Sequence, residues 1–523
     1  MFAQCPADVI LVTSAYLDTP SLLQLRSVNH VLHDIVTPSV LQYVHLSLTQ
    51  IRGTEAEDVT KRLQTCSTPL PNFYQSARHL KVKIDGWYIR RYVPDELLPD
   101  LWKTLSLLQS LISVEFAWKY GYDDDEETRI RVQNIRSQVA SAIMKATGSR
   151  LEKLTIHPPI GELDIPKPFL HVQGLIEFGI DYEQSGWGCD ESSESDGEEA
   201  GSKAQGGPPT CDCKALPVDT DIAGILAANP TLQDLRIVHG CLGKGYPAKA
   251  LFTSQLSDLR SITMEGLSTW GIETLLPAPS FQNLRHVNIM SSYQYHPVDP
   301  LWASMKAAGT ILETLVTAQI SSSLIDFLAS FSGLRNLKID DIITDSSCSS
   351  PKITSSFFDL ALPRHFSTLE SFSLSYGGNV KQIPGWDFDP VLWSSFLPKM
   401  TALKSLHIPP YAPEGSQAAQ IAARYQTVID TVQLVPNLEL LQIHWPDRIH
   451  GCGTGRMKWV RSCVATLDET VKDLRCDGEV AKPKTLRLFN GIHRAIASGG
   501  SSWRYALPKM SGSEWSISDR FPA

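Results

Sequence analysis

The most constraining feature of this sequence is a leucine pattern that recurs at intervals of about one strand plus one helix. Roughly five matches to the pattern Leu-x-x-φ-x-φ, where φ is Val, Ile, Leu, Met or Phe, would arise by chance. Eleven occur, beginning at Leu41, Leu111, Leu151, Leu175, Leu232, Leu259, Leu284, Leu334, Leu369, Leu403 and Leu438. With a near-match at Leu312, the starts from Leu232 to Leu438 are separated by 27, 25, 28, 22, 35, 34 and 35 residues. This spacing predicts stacked repeats, because such units bury their apolar sides only against each other.

Two of the intervals contain helix-start signals that resemble each other. The segments 299–305 and 389–400 both begin with Asp-Pro and continue with apolar residues at helical spacing, so we expect an Asp cap and a proline in the first turn. The sequence therefore predicts an α/β fold, in which an irregular solenoid of parallel strands and helices covers residues 77–490. An α/β sandwich or a doubly wound sheet fits the same alternation and remains open at this point.

The first fifty residues carry a different, helical pattern. Pro6 and Asp8 are typical of a first helical turn, Ser21 is expected to cap a second helix, and a third helix is expected to end at Pro38. Three short helices cannot bury all the apolar residues in this segment. We therefore expect either the rest of the chain or a partner protein to cover the excess.

The same residues resemble the F-box family. The family pattern Leu-Pro-x-Glu, Tyr-Leu and Asp-Leu-Leu-x-Leu-x-x-Val-Asn-Arg/Lys is similar to residues 5–8, Tyr16-Leu17 and residues 21–30. The resemblance covers roughly residues 4–45, and the repeats resemble the irregular leucine-rich repeats often found behind an F-box. On this interpretation residues 46–76 form a linker and residues 491–523 a C-terminal tail. An unrelated helical cap on the following domain is the alternative.

The resemblance implies a substrate-recognition subunit of an SCF-type ubiquitin ligase, which binds a Skp-family adaptor, assembles with a cullin and holds a protein substrate through its repeats. A scaffold that binds the adaptor outside a ligase is a second hypothesis, and an unrecognised hydrolase or transferase is a third. The residues that the resemblance assigns to adaptor binding are Pro6, Asp8, Val9, Ile10, Leu17, Leu22, Leu23, Leu25 and Val28.

Strand alternation predicts which side chains of the repeats face a substrate. Because successive side chains of a strand point to opposite sides of the sheet, the residues between the buried positions of each repeat share one exposed face. Their mixed charge suits a protein or peptide partner, although a merely solvated face is the alternative. The predicted face comprises Lys153, Thr155, His157, Arg236, Glu265, His286, Asn288, Asn336, Lys338, Asp340, His407, Gln442 and His444.

Much of the negative charge lies in two runs. The net charge is −9, and the acidic residues cluster at 123–127 and in the Ser-, Gly- and acid-rich stretch 183–214, which we expect to be a disordered insertion. Acidic residues follow Ser193 and Ser195 at the spacing an acid-directed kinase prefers, although a solvated loop without regulation is the alternative. The remainder carries no basic stripe, so nucleic acid is not an expected partner.

The sequence contains no recognisable catalytic or cofactor motif. Cys211 and Cys213, with Cys189 nearby, have no second cysteine pair of the kind a zinc site uses, and the glycines at 451–455 favour a turn over a dinucleotide loop. We therefore expect no catalytic residues, cofactor or metal, and no enzyme activity. Few cysteines, no signal peptide and no apolar run of membrane-spanning length favour the cytoplasm or the nucleus, with no membrane partner.

Overall fold

The computed structural model describes most of the repeats and part of the N-terminal segment. The chain forms two compact units, Met1–Ser280 (unit 1) and Phe281–Ala523 (unit 2). The described residues are 19–48, 75–86, 95–119, 125–148, 150–159, 165–181, 218–238, 256–265, 281–290, 298–318, 320–339, 351–374, 390–408, 423, 427–428, 430–432, 434–443, 476–477, 485–488, 491–497 and 502–506.

The described residues of unit 1 form seven parallel strands, and the spatial order of these strands is their order in the sequence. Each strand pairs with the next one along the chain, from β1 to β7. The strands are β1 Tyr43–Leu48, β2 His79–Asp85, β3 Ser113–Lys119, β4 Lys153–His157, β5 Glu177–Asp181, β6 Asp234–Val238 and β7 Ser261–Glu265.

Unit 2 also arranges its parallel strands in sequence order, and it contains an antiparallel ribbon. Its strands are β8 His286–Met290, β9 Thr314–Thr317, β10 Asn336–Ile339, β11 Ser371–Leu374, β12 Ser405–Ile408, β13 Leu440–Ile443, β14 Cys476–Asp477, β15 Thr485–Leu488, β16 Gly491–Ala497 and β17 Ser502–Ala506. Strands β8 to β13 and then β15 pair in parallel. The pairs β15–β16, β16–β17 and β14–β17 are antiparallel.

Helical segments connect many of these strands. The helices are α1 Thr19–Ser27, α2 His30–Val40, α3 Leu98–Leu105, α4 Glu126–Thr147, α5 Val218–Ala228, α6 Asp299–Ala307, α7 Ser322–Leu328, α8 Pro351–Ser356 and α9 Pro390–Phe396. Shorter 3-10 turns lie at Asp95–Leu97, Lys167–His171, Leu362–His365 and Leu397–Lys399, and a π turn lies at Phe357–Ala361.

The strand order within each unit argues against a doubly wound sheet, because such a sheet reverses its strand order at a switch point. Here every parallel connection advances in one direction, and since parallel crossovers are almost always right-handed, the connections lie on one side of the sheet. Ring contacts join the two layers. The ring centroids of Phe116 in β3 and Phe169 are 5.5 Å apart, and those of Phe372 in β11 and Trp393 in α9 are 6.1 Å apart. Within each unit, the described parallel strands thus form α/β layers of the repeat type.

The leucine pattern marks the turn that enters each strand. The residue after the first leucine uses one carbonyl to accept two N–H groups from the next repeat. The Ile112 oxygen, for example, accepts from Glu152 at 2.9 Å and Lys153 at 3.0 Å. The pattern leucines are buried at Leu111, Leu151, Leu175, Leu232, Leu259, Leu284, Leu312, Leu334, Leu369, Leu403 and Leu438. The intervals between the pattern leucines are therefore the intervals between successive stacked turns, one before each strand.

Buried polar side chains also join one repeat to the next. Asn229 accepts from the Leu175 N–H at 2.8 Å and donates to the Val172 and Ile225 carbonyls at 3.0 and 2.7 Å. In unit 2 the Thr310 hydroxyl donates to the Phe281 carbonyl at 3.0 Å. These bonds satisfy backbone groups that burial would otherwise leave without a partner.

Several boundaries differ from the sequence predictions. Helix α1 begins at Thr19, so Ser21 lies inside it and is not its cap, and α2 continues past Pro38 to Val40. The Asn29 side chain caps α2 by accepting from the Leu32 N–H at 2.9 Å. A proline in the last turn disrupts a helix less than one in its middle, because few of the helix's hydrogen bonds lie beyond the proline.

The predicted linker and tail overlap regular strands. Strand β1 crosses the predicted boundary between the helical domain and the linker, and its parallel pairing with β2 makes it part of the sheet. Strands β16 and β17 lie in the segment expected to be a tail. The expected first helix and the acidic insertion at 183–214 lie outside the described residues.

The helix-start predictions are correct in position, with one change of detail. Helix α6 begins at Asp299 and α9 at Pro390, as the Asp-Pro signals predict. Val298 occupies the cap of α6 and makes no side-chain cap hydrogen bond, so Asp299 belongs to the first turn instead. A carboxylate in that position still interacts favourably with the helix dipole.

Candidate functional site

Helices α1 and α2 form a small core of their own. Leu22 of α1 packs with Leu32 and Val36 of α2, and the partly buried Leu25 and Ile35 pack against this cluster. Three buried side chains make a modest core, which is consistent with the limited apolar area that a unit of this size can bury.

Other apolar side chains of these helices remain exposed. Leu23 of α1 and Val31 of α2 are each 48% exposed, and Val28 between the helices is 64% exposed. The structure therefore divides the residues predicted for adaptor binding: Leu23 and Val28 are accessible, whereas Leu22 is part of the core and Leu25 is half-buried. The predicted Pro6, Asp8, Val9, Ile10 and Leu17 lie outside the described residues.

The second candidate surface is the side of the sheet that carries the first, third and fifth residues of β1 to β7, here named the polar face of unit 1. Its side chains alternate with buried ones, as in β4, where Leu154 and Ile156 are buried and Lys153, Thr155 and His157 are half-buried. Of the predicted substrate face, this surface contains Lys153, Thr155, His157, Arg236 and Glu265.

Ion pairs connect neighbouring strands across the polar face of unit 1. Lys81 pairs with Glu115, and Lys153 pairs with Glu177. Each pair joins two adjacent strands, and their carboxylates and ammonium groups are about one-third to two-fifths exposed. Exposed pairs of this kind stabilise a fold by about 0–1 kcal/mol, so a partner's charges can compete for them.

Two further polar contacts extend this network. The Arg236 guanidinium lies 3.2 Å from the Asp181 carboxylate, and the His157 Nε2 lies 3.3 Å from the Glu115 carboxylate. Because these partners come from repeats far apart in the sequence, their contact depends on the strand register.

Two histidines on the first two strands have lowered pKa values, with partial burial as the main cause. Burial, followed by the positive charges of Lys83 and Lys81, lowers the pKa of His45. Burial, followed by the charges of Lys153 and Arg78, lowers the pKa of His79. Both imidazoles are therefore mostly neutral at pH 7.

An exposed aromatic stack lies on the same two strands. The rings of Tyr43 and His79 stack with centroids 4.6 Å apart, and Tyr43 is exposed. Exposed tyrosines are frequent anchors in protein interfaces, because they combine a large apolar ring with a polar hydroxyl.

The middle of the polar face contains a close approach at Gly179. A Cβ at this position would lie 3.3 Å from Thr155 Cγ2 and 3.7 Å from Arg236 Cβ. Gly179 thus lets the flanking side chains close over the backbone, and a larger residue would push them apart.

The corresponding face of unit 2 carries mainly hydroxyl, amide and imidazole groups. The Ser373 hydroxyl and His407 Nδ1 are 2.8 Å apart, and Asn336 donates to the Thr314 hydroxyl at 3.3 Å. The predicted residues on this face are His286, Asn288, Asn336, Lys338, His407 and Gln442, whereas Asp340 and His444 lie outside the described residues.

Several face residues escaped the sequence prediction. The same alternation in β2, β3 and β5 would have identified Lys81, Lys83, Glu115, Glu177 and Asp181. The strand of β2 has no leucine at the usual start, since Ala77 is buried there instead, so the pattern alone did not indicate it.

Within the described ranges, no three potential metal ligands come together. The part of the chain that the structure describes also has no helix of the length and apolarity needed to cross a bilayer. The candidate phosphorylation sites Ser193 and Ser195 and the cysteines at 189, 211 and 213 lie outside the described residues.

The sequence matches no protein-family model, and no curated protein sequence matches it at a significant level. The two surfaces, one apolar and one polar and charged, are therefore the basis for any functional assignment.

Proposed function

We propose that this chain is the substrate-recognition subunit of an SCF-type ubiquitin ligase. In this proposal α1 and α2 belong to an F-box that binds a Skp-family adaptor, and the polar sheet faces of the leucine-rich repeats bind a protein substrate. The observation that carries the proposal is the N-terminal pair of helices, which satisfies its own small core and still presents Leu23, Val28 and Val31 to water.

Exposed apolar residues on so small a unit favour a protein partner. Burial of apolar surface contributes about 25 cal/mol per Å², so three exposed aliphatic side chains on this helix pair would stabilise a complex appreciably if a partner covered them. The F-box resemblance supplies the identity of that partner, because it assigns Leu23 and Val28 to adaptor contact.

The repeats support the second half of the proposal. Sequential parallel strands place their polar side chains on one continuous face within each unit, and the ion pairs on that face in unit 1 are weak enough to be exchanged for a partner's charges. Stacked repeats commonly use such surfaces for binding.

The chain itself would catalyse no reaction. It would act by proximity, because tethering a substrate near a ubiquitin-charged enzyme raises the effective concentration of the acceptor lysine. Activity would therefore depend on simultaneous binding of adaptor and substrate and would need no cofactor.

A pull-down with purified Skp-family adaptor and cullin tests the proposal. The full chain should recover both proteins, and the double variant Leu23→Asp with Val28→Asp should recover at least roughly tenfold less adaptor, because two carboxylates would be desolvated in the interface. These sites are preferable to Leu22, whose substitution would disrupt the helix core.

Val391→Asp provides the matched control. Val391 of α9 belongs to unit 2 and is 81% exposed, so Val391→Asp places an acid at an accessible valine outside the N-terminal helices and should leave recovery unchanged. Recovery of adaptor without cullin would replace the ligase by a scaffold. Recovery of neither protein would refute both.

A further inference from the structure

The charges on the polar face of unit 1 are sorted by strand. In β1 to β4 the first, third and fifth positions carry three lysines, Lys81, Lys83 and Lys153, against one acid, Glu115. His45, His79 and His157 lie in the same half. This half of the face is therefore net positive even with every imidazole neutral.

The other half has the opposite sign. In β5 to β7 the same positions carry four acids, Glu177, Asp181, Asp234 and Glu265, against one base, Arg236. The strand register is continuous from β1 to β7, so the two halves adjoin on a single sheet face. The surface is thus polarised across the strands.

The sheet geometry sets the distance between the two halves. Neighbouring strands lie about 4.8 Å apart, so the centres of the four-strand and three-strand halves are roughly 17 Å apart. An extended chain rises about 3.3 Å per residue, and a segment crossing the strands would therefore place its charged blocks about five residues apart.

We propose that the polar face of unit 1 binds an extended protein segment with an acidic block and a basic block, the acidic block over β1 to β4 and the basic block over β5 to β7. This inference deepens the proposed function, on which it rests, by naming the charge pattern of the substrate. A uniformly acidic or basic segment gains attraction from one half and meets repulsion from the other, so the face discriminates by pattern rather than by net charge.

Two positions allow the pattern to be tested without breaking a cross-strand ion pair between described residues. Lys83 lies between Ser47 and Ala117 in the register, and Asp234 lies between Glu177 and Ser261. Reversing either charge changes one half of the face only.

The probe is a synthetic peptide with about three Glu, roughly two neutral residues and about three Lys, a spacing that matches the two halves. Both chain directions are used, because the face fixes the separation of the blocks and not the direction of the chain. The comparison peptide has the same composition with Glu and Lys alternating. Binding to the full-length chain is measured by fluorescence anisotropy at low ionic strength.

The block peptide, in one chain direction at least, should bind at least roughly tenfold more tightly than the alternating one. Lys83→Glu and Asp234→Lys should each weaken it roughly fivefold. Lys145→Glu on the exposed side of α4 reverses a charge away from the face and should leave the affinity unchanged. Circular dichroism of each variant checks that the fold is retained.

Equal affinity for block and alternating peptides, absence of binding by the block peptide, or equal weakening by Lys145→Glu would each overturn the proposal. The adaptor pull-down is read on the same preparation. Adaptor recovery without a preference for the block peptide would refute this inference and leave the proposed function intact. A preference for the block peptide without adaptor recovery would refute the proposed function and leave the charge-patterned binding surface.

Discussion

Units 1 and 2 are built from the same parallel repeat but place their charges differently. At the first and third positions of β1 to β7, six residues carry a formal charge, namely Lys81, Glu115, Lys153, Glu177, Asp234 and Arg236. At the same positions of β8 to β13, Lys338 is the one charged residue among those the structure describes. In both units the parallel strands carry a layer of buried apolar side chains, so the comparison concerns the exposed positions of these strands.

Unit 2 carries its charges one residue earlier, at the turn that enters each strand. This column alternates in sign from β8 to β13 as Arg285, Glu313, Arg335, Glu370, Lys404 and Glu439. Glu370 lies 2.6 Å from Lys404 and 3.9 Å from Arg335. Charges that alternate along a column neutralise one another locally.

The difference shows that the repeat fixes where side chains point and leaves their chemistry free. Unit 2 balances its charges along a column, whereas unit 1 separates positive from negative across its sheet face. A separated distribution has a field that a partner can complement, and a balanced one has little. We therefore expect unit 1 to provide the charge-selective surface.

The largest effects should be equal in the two units, because they arise from the shared core. Leu154→Ala in β4 and Leu337→Ala in β10 each remove a fully buried side chain and should lower the free energy of unfolding by roughly 2–5 kcal/mol. Denaturant unfolding followed by far-ultraviolet circular dichroism measures both.

The adjacent face positions are the controls for this prediction. Thr155→Ala and Asn336→Ala should cost less than about 1 kcal/mol, since both side chains lie on the polar side of the sheet. A loss at Thr155 as large as that at Leu154 would contradict the assigned alternation.

The next effect separates the units by acid sensitivity. His365 of unit 2 is fully buried, and its Nε2 lies 3.1 Å from the Leu328 carbonyl. Burial, despite that hydrogen bond and with help from the charge of Arg364, lowers the pKa of His365 to about 4. The native imidazole is thus neutral at pH values where the unfolded chain already binds a proton.

Stability should therefore fall as the pH decreases from about 6.5 to about 4, by roughly 3 kcal/mol from this group. His365→Gln keeps a donor for Leu328 and does not titrate, so its free energy of unfolding should decline less over that range. Urea unfolding at a series of pH values measures the slope. An identical slope in the variant would show that the acid sensitivity arises elsewhere.

A smaller contrast concerns the buried polar bridges between repeats. Asn229→Ala in unit 1 removes one acceptor and two donor contacts and should cost roughly 2–3 kcal/mol, whereas Thr310→Val in unit 2 removes one hydroxyl donor and should cost about 1 kcal/mol. Thermal and denaturant unfolding of the two variants give the ratio. Equal losses would mean that the hydrogen bonds of Asn229 contribute no more than the single bond of Thr310.

The smallest effect tests the alternating column of unit 2. A hydrogen bond from Lys404, then its charge, then the charge of Arg335, lower the pKa of Glu370. Lys404→Met should raise this pKa toward the ordinary value for glutamate, as measured by carboxyl-carbon NMR on selectively labelled protein. An unchanged pKa would indicate that the column charges do not interact in solution.

The buried apolar positions of the fold were predictable from the sequence, because the repeat spacing and the alternation along each strand indicate which side chains are buried. The pattern leucines from Leu111 to Leu438 and the alternate positions of β4 and β10 are buried as expected, whereas Leu41 is only half-buried. Helices α6 and α9 begin at their Asp-Pro signals. These features depend on neighbours within one repeat, so local sequence suffices to indicate them.

Features that depend on context were missed. The acidic run at 123–127 predicts a cluster of negative charge and no helix cap, yet Asp125 caps α4 by accepting from the Thr128 N–H at 2.9 Å. The pairing of Arg236 with Asp181 joins residues 55 positions apart and requires the register of β5 and β6. Sequence patterns give the face of a residue but not its neighbour on the next strand.

Amide hydrogen exchange on the full chain tests most directly the claim that the helices and the sheet have separate binding roles. Purified adaptor should slow exchange in residues 19–40 and leave β2 and β3 unchanged, whereas the block peptide should slow exchange in β1 to β7 and leave α1 unchanged. Adaptor protection confined to the sheet, or absent from residues 19–40, would contradict this division.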